Sequence, residues 1–309
     1  MAVKDYVSIA RPDHWVKNVF VVLGVVICAM LTDTPFREYY LDLAIGLASV
    51  CFAASSNYVL NEWLDAESDQ HHPFKNRRPA AQGMLKPKFV YLEYVLLVSV
   101  ALTLGILVSP YFILGLISFL SAGVIYNVKP LRTKDRTYLD VISESINNPI
   151  RLVLGWAVVH NSFPPSSLIL IFWMTGAFLM SVKRLSEYRL LIHKSGLESA
   201  VLYRNAFRFY TENGLLLSSF FYAINSCFFL GIFLIKYRIE YVLTFPFFGV
   251  LFTWYLFGGL KEESVSRNPE LLPTEPKFLI FLVFLTTVIV FLTFVNIPIL
   301  NRLLQKVVG

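Results

Sequence analysis

Apolar residues gather in nine long stretches, near residues 16–32, 40–61, 89–108, 111–127, 140–159, 166–182, 215–235, 240–260 and 277–298. Each approaches the roughly 20 residues an α-helix needs to cross a hydrocarbon core. The stretch at 111–127 is short, and polar residues interrupt the one at 140–159. The polar segments between them alternate in length. Those after the second, fourth and sixth stretches are long, whereas the Ser109-Pro110 turn and the Tyr237-Arg238 link are barely loops. This pattern predicts an all-α, polytopic membrane protein of about nine transmembrane helices. No low-complexity linker divides it, so residues 1–309 read as one domain. The second and fourth stretches both run into a polar segment rich in acids and bases, a faint sign of two related halves.

Composition supports the membrane reading. The chain is 56% hydrophobic and only 16% charged, where a soluble domain carries about 25% charge. Mean hydropathy is +0.60. The net charge of +6 then reports topology and headgroup contact, not nucleic acid. With the N-terminus inside, Lys and Arg on inner segments number 21 against 5 on outer segments. The positive-inside rule puts the long loops on the cytoplasmic face, with a bacterial inner membrane as the expected location. Cys28, Cys51 and Cys227 lie in apolar runs without partner spacing, as inert thiols rather than a disulfide or zinc framework. No small-residue cleavage site follows the first apolar run, so no removable leader is expected.

The long loops carry the candidate chemistry. Asn61, Asp65 and Asp69 are spaced i, i+4, i+8, so a helix would stack their oxygens along one side. Hard oxygen ligands in a row suit Mg2+, which keeps waters and completes its shell with substrate phosphates. Lys75, Arg77 and Arg78 follow as partners for phosphate oxygens. The next long loop runs from Tyr126 to Asp140 and includes Lys134. Asp140 and Glu144 are four apart, so a helix would show both on one face as a second metal or phosphate site. Asn147, Asn148 and Arg151 carry polarity onward into an apolar stretch, where ionisable groups face a polar cavity or one another. The bland alternative is a Glu144–Arg151 pair that only ties helices together. Lys183 and Arg184 end the sixth stretch, and taken alone read as a topological anchor. Lys17 and Asn18, beside Trp15, would lie at headgroup depth within reach of a lipid phosphate. Zinc spacings, a Walker loop and a dinucleotide fingerprint are all missing from the sequence.

These residues resemble the UbiA superfamily of intramembrane prenyltransferases. That family carries Asn-Asp-x-x-Asp-x-x-x-Asp, matched by Asn61-Glu62-x-x-Asp65-x-x-x-Asp69 with Glu62 as the one change. The resemblance implies an all-helical fold with two aspartate-rich inner loops facing a central cavity, and Mg2+ bridging the aspartates to a diphosphate. A narrower likeness is to the decaprenyl-phosphate phosphoribosyltransferase branch. It rests on Arg11-Pro12-x-x-Trp15-x-Lys17-Asn18, on Asp69-x-x-His72-Pro73-x-Lys75-x-x-Arg78-Pro79, and on Lys183-Arg184-x-x-Glu187 with Tyr210-Thr211. Asp140, Arg151 and Gly155 follow the same branch. The loop from Lys129 to Arg136 departs from it and stands closer to other superfamily members. A homo-oligomer is compatible with this resemblance.

Two reactions fit these motifs. In one, a polyprenyl phosphate attacks phosphoribosyl diphosphate, which requires a second phosphate site for which Lys17, Lys134 and Arg151 are candidates. In the other, a polyprenyl diphosphate donates its chain to an aromatic or other small acceptor. Both need Mg2+, a diphosphate donor and a polyprenyl lipid. A lipid or ion transporter without chemistry is the reading from another class.

Overall fold

The structure is a computed structural model that describes residues 3–237, 239–261 and 275–300. Arg238, Arg267, Arg302 and Lys306, which enter the charge asymmetry, lie outside the described residues. Among the described residues the regular elements are all helical. In order they are α1 (Val3–Ala10), α2 (Val19–Thr32), α3 (Tyr40–Leu64), α4 (Ala66–Asp69), α5 (Pro87–Ile106) and α6 (Pro110–Asn127). Then come α7 (Leu139–Ser145), α8 (Asn147–Val159), α9 (Ser166–Tyr203), α10 (Glu212–Tyr237), α11 (Phe245–Gly259) and α12 (Pro276–Phe294).

Seven helical segments among the described residues are long and apolar enough to cross a membrane. The other two predicted stretches are helical as well. One is α12, whose apolar part is shorter, and the other is the pair α7 and α8. The interruption foreseen at 140–159 is a break at Ile146, between Glu144 and Asn147.

The residues group into two compact units. The first holds Met1–Pro165 and Tyr188–Gly214. Its core is Val21, Val25, Val50, Ala53, Ala54, Phe112, Leu116, Phe119 and Leu154, contributed by α2, α3, α6 and α8. Between apolar helices in lipid, close packing and hydrogen bonds replace the hydrophobic drive. Both are present here. A Cβ at Gly155 would overlap the Val21 carbonyl, and one at Gly24 the Leu152 carbonyl, so these glycines let α2 and α8 touch backbone to backbone. Ser49 Oγ donates to the Ala101 carbonyl at 2.8 Å and ties α3 to α5. At the start of α6, Ser109 Oγ accepts from Phe112 N at 3.1 Å, with Pro110 in the first turn.

The first loop is packed rather than loose. Ile9 of α1 joins Val59, Ala80, Leu85 and Val90 in a second apolar cluster, which fixes the N-terminal helix against α3 and α5. Apolar side chains on the far side of α5, among them Leu92, Val95 and Leu96, are exposed, as a lipid-facing helix requires.

α9 is longer than its apolar part. The apolar stretch at 166–182 continues as a polar helix to Tyr203, broken only at Gly196, whose φ of 75° a glycine adopts at no steric cost. The following turn docks onto the second loop, where Thr137 Oγ1 donates to the Ala206 carbonyl at 2.9 Å.

The second unit holds Ser166–Glu187 and Leu215–Gly309. Hydroxyls join its helices: Ser181 and Ser218 lie 2.8 Å apart, and Thr175 and Ser226 lie 2.6 Å apart. The three cysteines are free, and Cys28 is buried.

Candidate active site

α3 ends at Leu64, yet the helical hydrogen-bond pattern runs on. Asp65 N donates to the Asn61 carbonyl at 3.0 Å and Asp69 N to the Asp65 carbonyl at 2.8 Å. The i, i+4, i+8 spacing therefore survives into α4, as the sequence predicts. The side chains divide between two clusters.

Asn61 and Asp65 join the second loop. Asn61 Nδ2 donates to Asn127 Oδ1 at 2.6 Å, and Asn127 Nδ2 donates to the Gly123 carbonyl at 2.9 Å. Lys134 forms a direct ion pair with Asp65 and donates to Asn127 Oδ1 at 3.1 Å. Arg132 Nη2 reaches Asp65 at 3.1 Å, while its Nε holds Asp135 at 2.8 Å. Tyr126 donates to Glu144 at 2.8 Å, and the Lys134 ammonium stands 5.9 Å from the Tyr126 ring. One cluster thus gathers Asn61, Asp65, Tyr126, Lys134 and Glu144 from the predicted set.

Asp69 turns to the first loop. Arg78 Nη1 pairs with it at 2.6 Å, and Arg78 Nε lies 3.9 Å from Glu62. Glu62 pairs with Arg11 at 2.5 Å. The loop is wound around His72, whose Nδ1 accepts from Phe74 N and Lys75 N, each at 3.2 Å. That turn delivers Lys75 to the hydroxyl of Tyr203.

Asp140 meets residues that follow α9, whereas Glu144 meets Tyr126. Asp140 is fully buried, accepts from Tyr210 Oη at 2.5 Å and lies 3.5 Å from Arg204. Tyr210 Oη in turn accepts from Tyr138 N at 2.7 Å. The segment from Tyr203 to Tyr210 therefore touches the first loop through Tyr203 and the second through Arg204 and Tyr210. Sequence reading missed Arg132, Tyr203 and Arg204. A Tyr-Arg pair following a polar helix is a weak signal, and only the fold brings it to residues some 60–130 positions away. Backbone strain marks the second loop, with φ of 25° at Arg132 and 63° at Tyr138.

The charges shape one another. Burial pushes the Asp65 carboxyl up, but Lys134 and Arg132 outweigh it and hold the group below its ordinary value. At Asp69 burial wins over Arg78 and Lys75, and the carboxyl is raised. Burial pushes Lys134 down to about 8 against the pull of Asp65. Arg78 is desolvated too, but Asp69 and Glu62 hold its proton more tightly than usual.

Arg151 and Asn18 form a separate group on α8 and at the start of α2. Arg151 Nε donates to Asn18 Oδ1 at 3.0 Å. The pair Glu144–Arg151 weighed on sequence is not made. Lys17 lies 3.4 Å from His14 Nδ1 and 6.0 Å from the Tyr58 ring. Lys183 and Arg184 belong to the second unit, where Arg184 is buried and pairs with Glu187 at 2.5 Å.

Among the described residues no group of three His, Cys, Asp or Glu is placed to hold a cation alone. Among those residues, then, no dedicated cage of such ligands is formed. The donor set suits Mg2+ in its other mode, with one or two carboxylates and the remainder from water and substrate phosphate. Asn61, having given its Nδ2 to Asn127, keeps Oδ1 for such a cation.

A helical membrane protein with an acid-and-base cluster where two loops meet at the ends of its helices is the class these features define. Residues 19–285 match the UbiA prenyltransferase family, and the chain belongs to that family of membrane transferases. It is 36% identical over 100 residues to a decaprenyl-phosphate phosphoribosyltransferase from Corynebacterium glutamicum, covering 32% of this chain and 30% of that one. It is 31% identical over 173 residues to a protoheme IX farnesyltransferase from Geobacillus thermodenitrificans, covering 54% and 55%. The matched region thus spans about a third to a half of these relatives' length. In fold the chain is similar to a UbiA homolog from Archaeoglobus fulgidus solved with GPP and Mg2+, with a TM-score of 0.69, 18% identity and coverage of 92% of this chain and 99% of that one.

Proposed function

We propose that the protein is a Mg2+-dependent phosphoribosyltransferase that moves the 5-phosphoribosyl group from phosphoribosyl diphosphate to a polyprenyl phosphate. Asn61, Asp65 and Asp69 would hold the cation, which when bound offsets charge developing on the departing diphosphate. The observation that carries the reading is the first loop. His72 folds it so that Lys75 and Arg78 stand beside Asp69, while Lys134 and Arg132 flank Asp65 from the other side. Once Asp65 and Asp69 turn to a cation, these four positive side chains are released to meet phosphate oxygens.

The reaction breaks the bond from C1 of the ribose to the diphosphate oxygen and forms one from C1 to an oxygen of the lipid phosphate. The diphosphate leaves with the bonding electrons. The attacking phosphate is already anionic, so no general base is needed. The protein's own work is orientation and charge: Lys75, Arg78, Arg132 and Lys134 grip phosphate oxygens, and the Tyr126–Glu144 pair braces the second loop. Lys17, Asn18, Lys183 and Arg184 are secondary members of the proposed substrate set. The same reading takes residues 1–309 as one catalytic domain, with the acid-rich loops at the cytoplasmic face of a bacterial inner membrane, and it admits a homo-oligomer.

A second reading rests on the farnesyltransferase likeness and on the second loop's departure from the phosphoribosyl branch. There a prenyl diphosphate is the donor and a small aromatic compound the acceptor. The test is to incubate purified protein in detergent with Mg2+ and each labelled donor, together with its acceptor. Lipid-linked phosphoribose is the expected product. If phosphoribosyl diphosphate yields none with any polyprenyl phosphate, the reading fails. Prenylated aromatic product in the parallel reaction would establish the second one.

A further inference from the structure

Arg151 is a buried cation whose partners are all neutral. The residue is 7% exposed. Nε donates to Asn18 Oδ1 at 3.0 Å, Nη1 approaches the Asn147 carbonyl at 3.5 Å, and Tyr58 is a further side-chain partner. The guanidinium lies 4.8 Å from the Phe119 ring centroid. Among the described residues no carboxylate pairs with it. Each of the other cations of the predicted phosphate set that is as deeply buried has an acid: Lys134 has Asp65, and Arg184 has Glu187. A desolvated charge without a counter-charge is costly, and more so at membrane depth.

The position is informative. Tyr58 precedes Asp65 by seven residues on the α3 course, or about 10 Å along a helix axis. Phe119 precedes Asn127 by eight on α6, about 12 Å. Arg151 therefore sits some two turns deeper among the helices than the Asp65 cluster. A water-soluble diphosphate reaches the shallower cluster first. An anion carried on a membrane tail reaches the deeper one.

We infer that Arg151, braced by Asn18 and Tyr58, is the binding site for the phosphate of the polyprenyl acceptor, separate from the donor's diphosphate site. This inference rests on the proposed function and chooses among the three cations left open by the sequence. Lys134 pairs with Asp65 and so belongs to the shallower cluster proposed for the donor. Lys17 stands near His14 and the Tyr58 ring, at the rim of the same group. The chemistry recognised is a lipid-borne oxyanion, and a small carboxylate acceptor would present a similar group.

The test measures binding to full-length protein in detergent, with EDTA present and no donor, so that neither metal nor turnover enters. The ligands are a polyprenyl monophosphate, the matching polyprenol and 4-hydroxybenzoate. Wild type is expected to prefer the phosphate over the alcohol by roughly tenfold to a hundredfold, the range of a charged hydrogen-bonded contact. Arg151→Gln should lose that preference, and Arg151→Lys should keep part of it and serve as the folding control. The inference is overturned if wild type shows no preference for the phosphate, if Arg151→Gln retains it, or if the carboxylate competes the lipid phosphate away at equal concentration. The function reading fails separately. A phosphate preference that depends on Arg151, together with no phosphoribosyl product, would leave this site standing and remove the donor.

Discussion

Two clusters in the same helical unit handle charge in opposite ways. Around Asp65 and Asp69 each acid meets a cation, and burial is offset by pairing. Around Arg151 a single guanidinium is held by amide, phenol and ring, with no acid. The first arrangement suits a site that exchanges internal ion pairs for a cation and a diphosphate together, so that acids and bases both find new partners. The second suits a site that waits for one anion. The difference is what the proposed division of labour rests on, and a bare list of the charged residues would not show it.

The sharpest way to break this comparison is to remove an acid from the paired cluster. Asp65→Ala should lower turnover by about a thousandfold or more, since several kcal/mol of metal-assisted charge stabilisation depend on it. The check is Mg2+-dependent product formation. Unchanged turnover would remove Asp65 from the site and favour a transporter without chemistry.

Asp140→Ala should act through stability instead. It leaves the Arg204 guanidinium without its buried acid and the Tyr210 hydroxyl without its acceptor. A loss of about 3–5 kcal/mol is expected from breaking a buried pair, read as a fall in melting temperature. Tyr210→Phe should lose only part of that.

A smaller effect concerns pH. Burial pushes Lys134 down to about 8, so its charge, and with it the proposed grip on phosphate, should fade as pH rises through that value. The kcat/KM profile should therefore show a basic limb near pH 8. Lys134→Arg, which stays charged, should move the limb upward. A limb unmoved by that substitution would assign it elsewhere.

The smallest effect is expected at Lys183, in the second unit, where Lys183→Ala should change kcat/KM by less than about threefold. A larger fall would raise Lys183 from a secondary to a principal member of the proposed substrate set.

Much of this was legible in the chain. Every apolar stretch of the sequence is helical, and the polar interruption near Asn147 is the break between α7 and α8. Helical spacing did put Asn61, Asp65 and Asp69 on one course, because local periodicity survives folding. Three things were not legible. Hydropathy saw only the apolar half of α9, since a helix that continues into water loses the signal while keeping its hydrogen bonds. Glu62 was the motif's one change and its direction could not be read, since adjacent helical residues point about 100° apart. It faces Arg11 and Arg78 rather than the Asp65 cluster. Arg204 and Tyr210 reach Asp140 across some 60–70 residues, and no local pattern encodes such a contact.

The division between the clusters is tested most directly by the donor's dissociation constant. Phosphoribosyl diphosphate binding would be measured by calorimetry with and without Mg2+, in wild type and in Arg151→Gln. The account predicts Mg2+-dependent binding, equal within about twofold in the two proteins. Donor affinity that is indifferent to Mg2+, or that collapses when Arg151 is replaced, would contradict it.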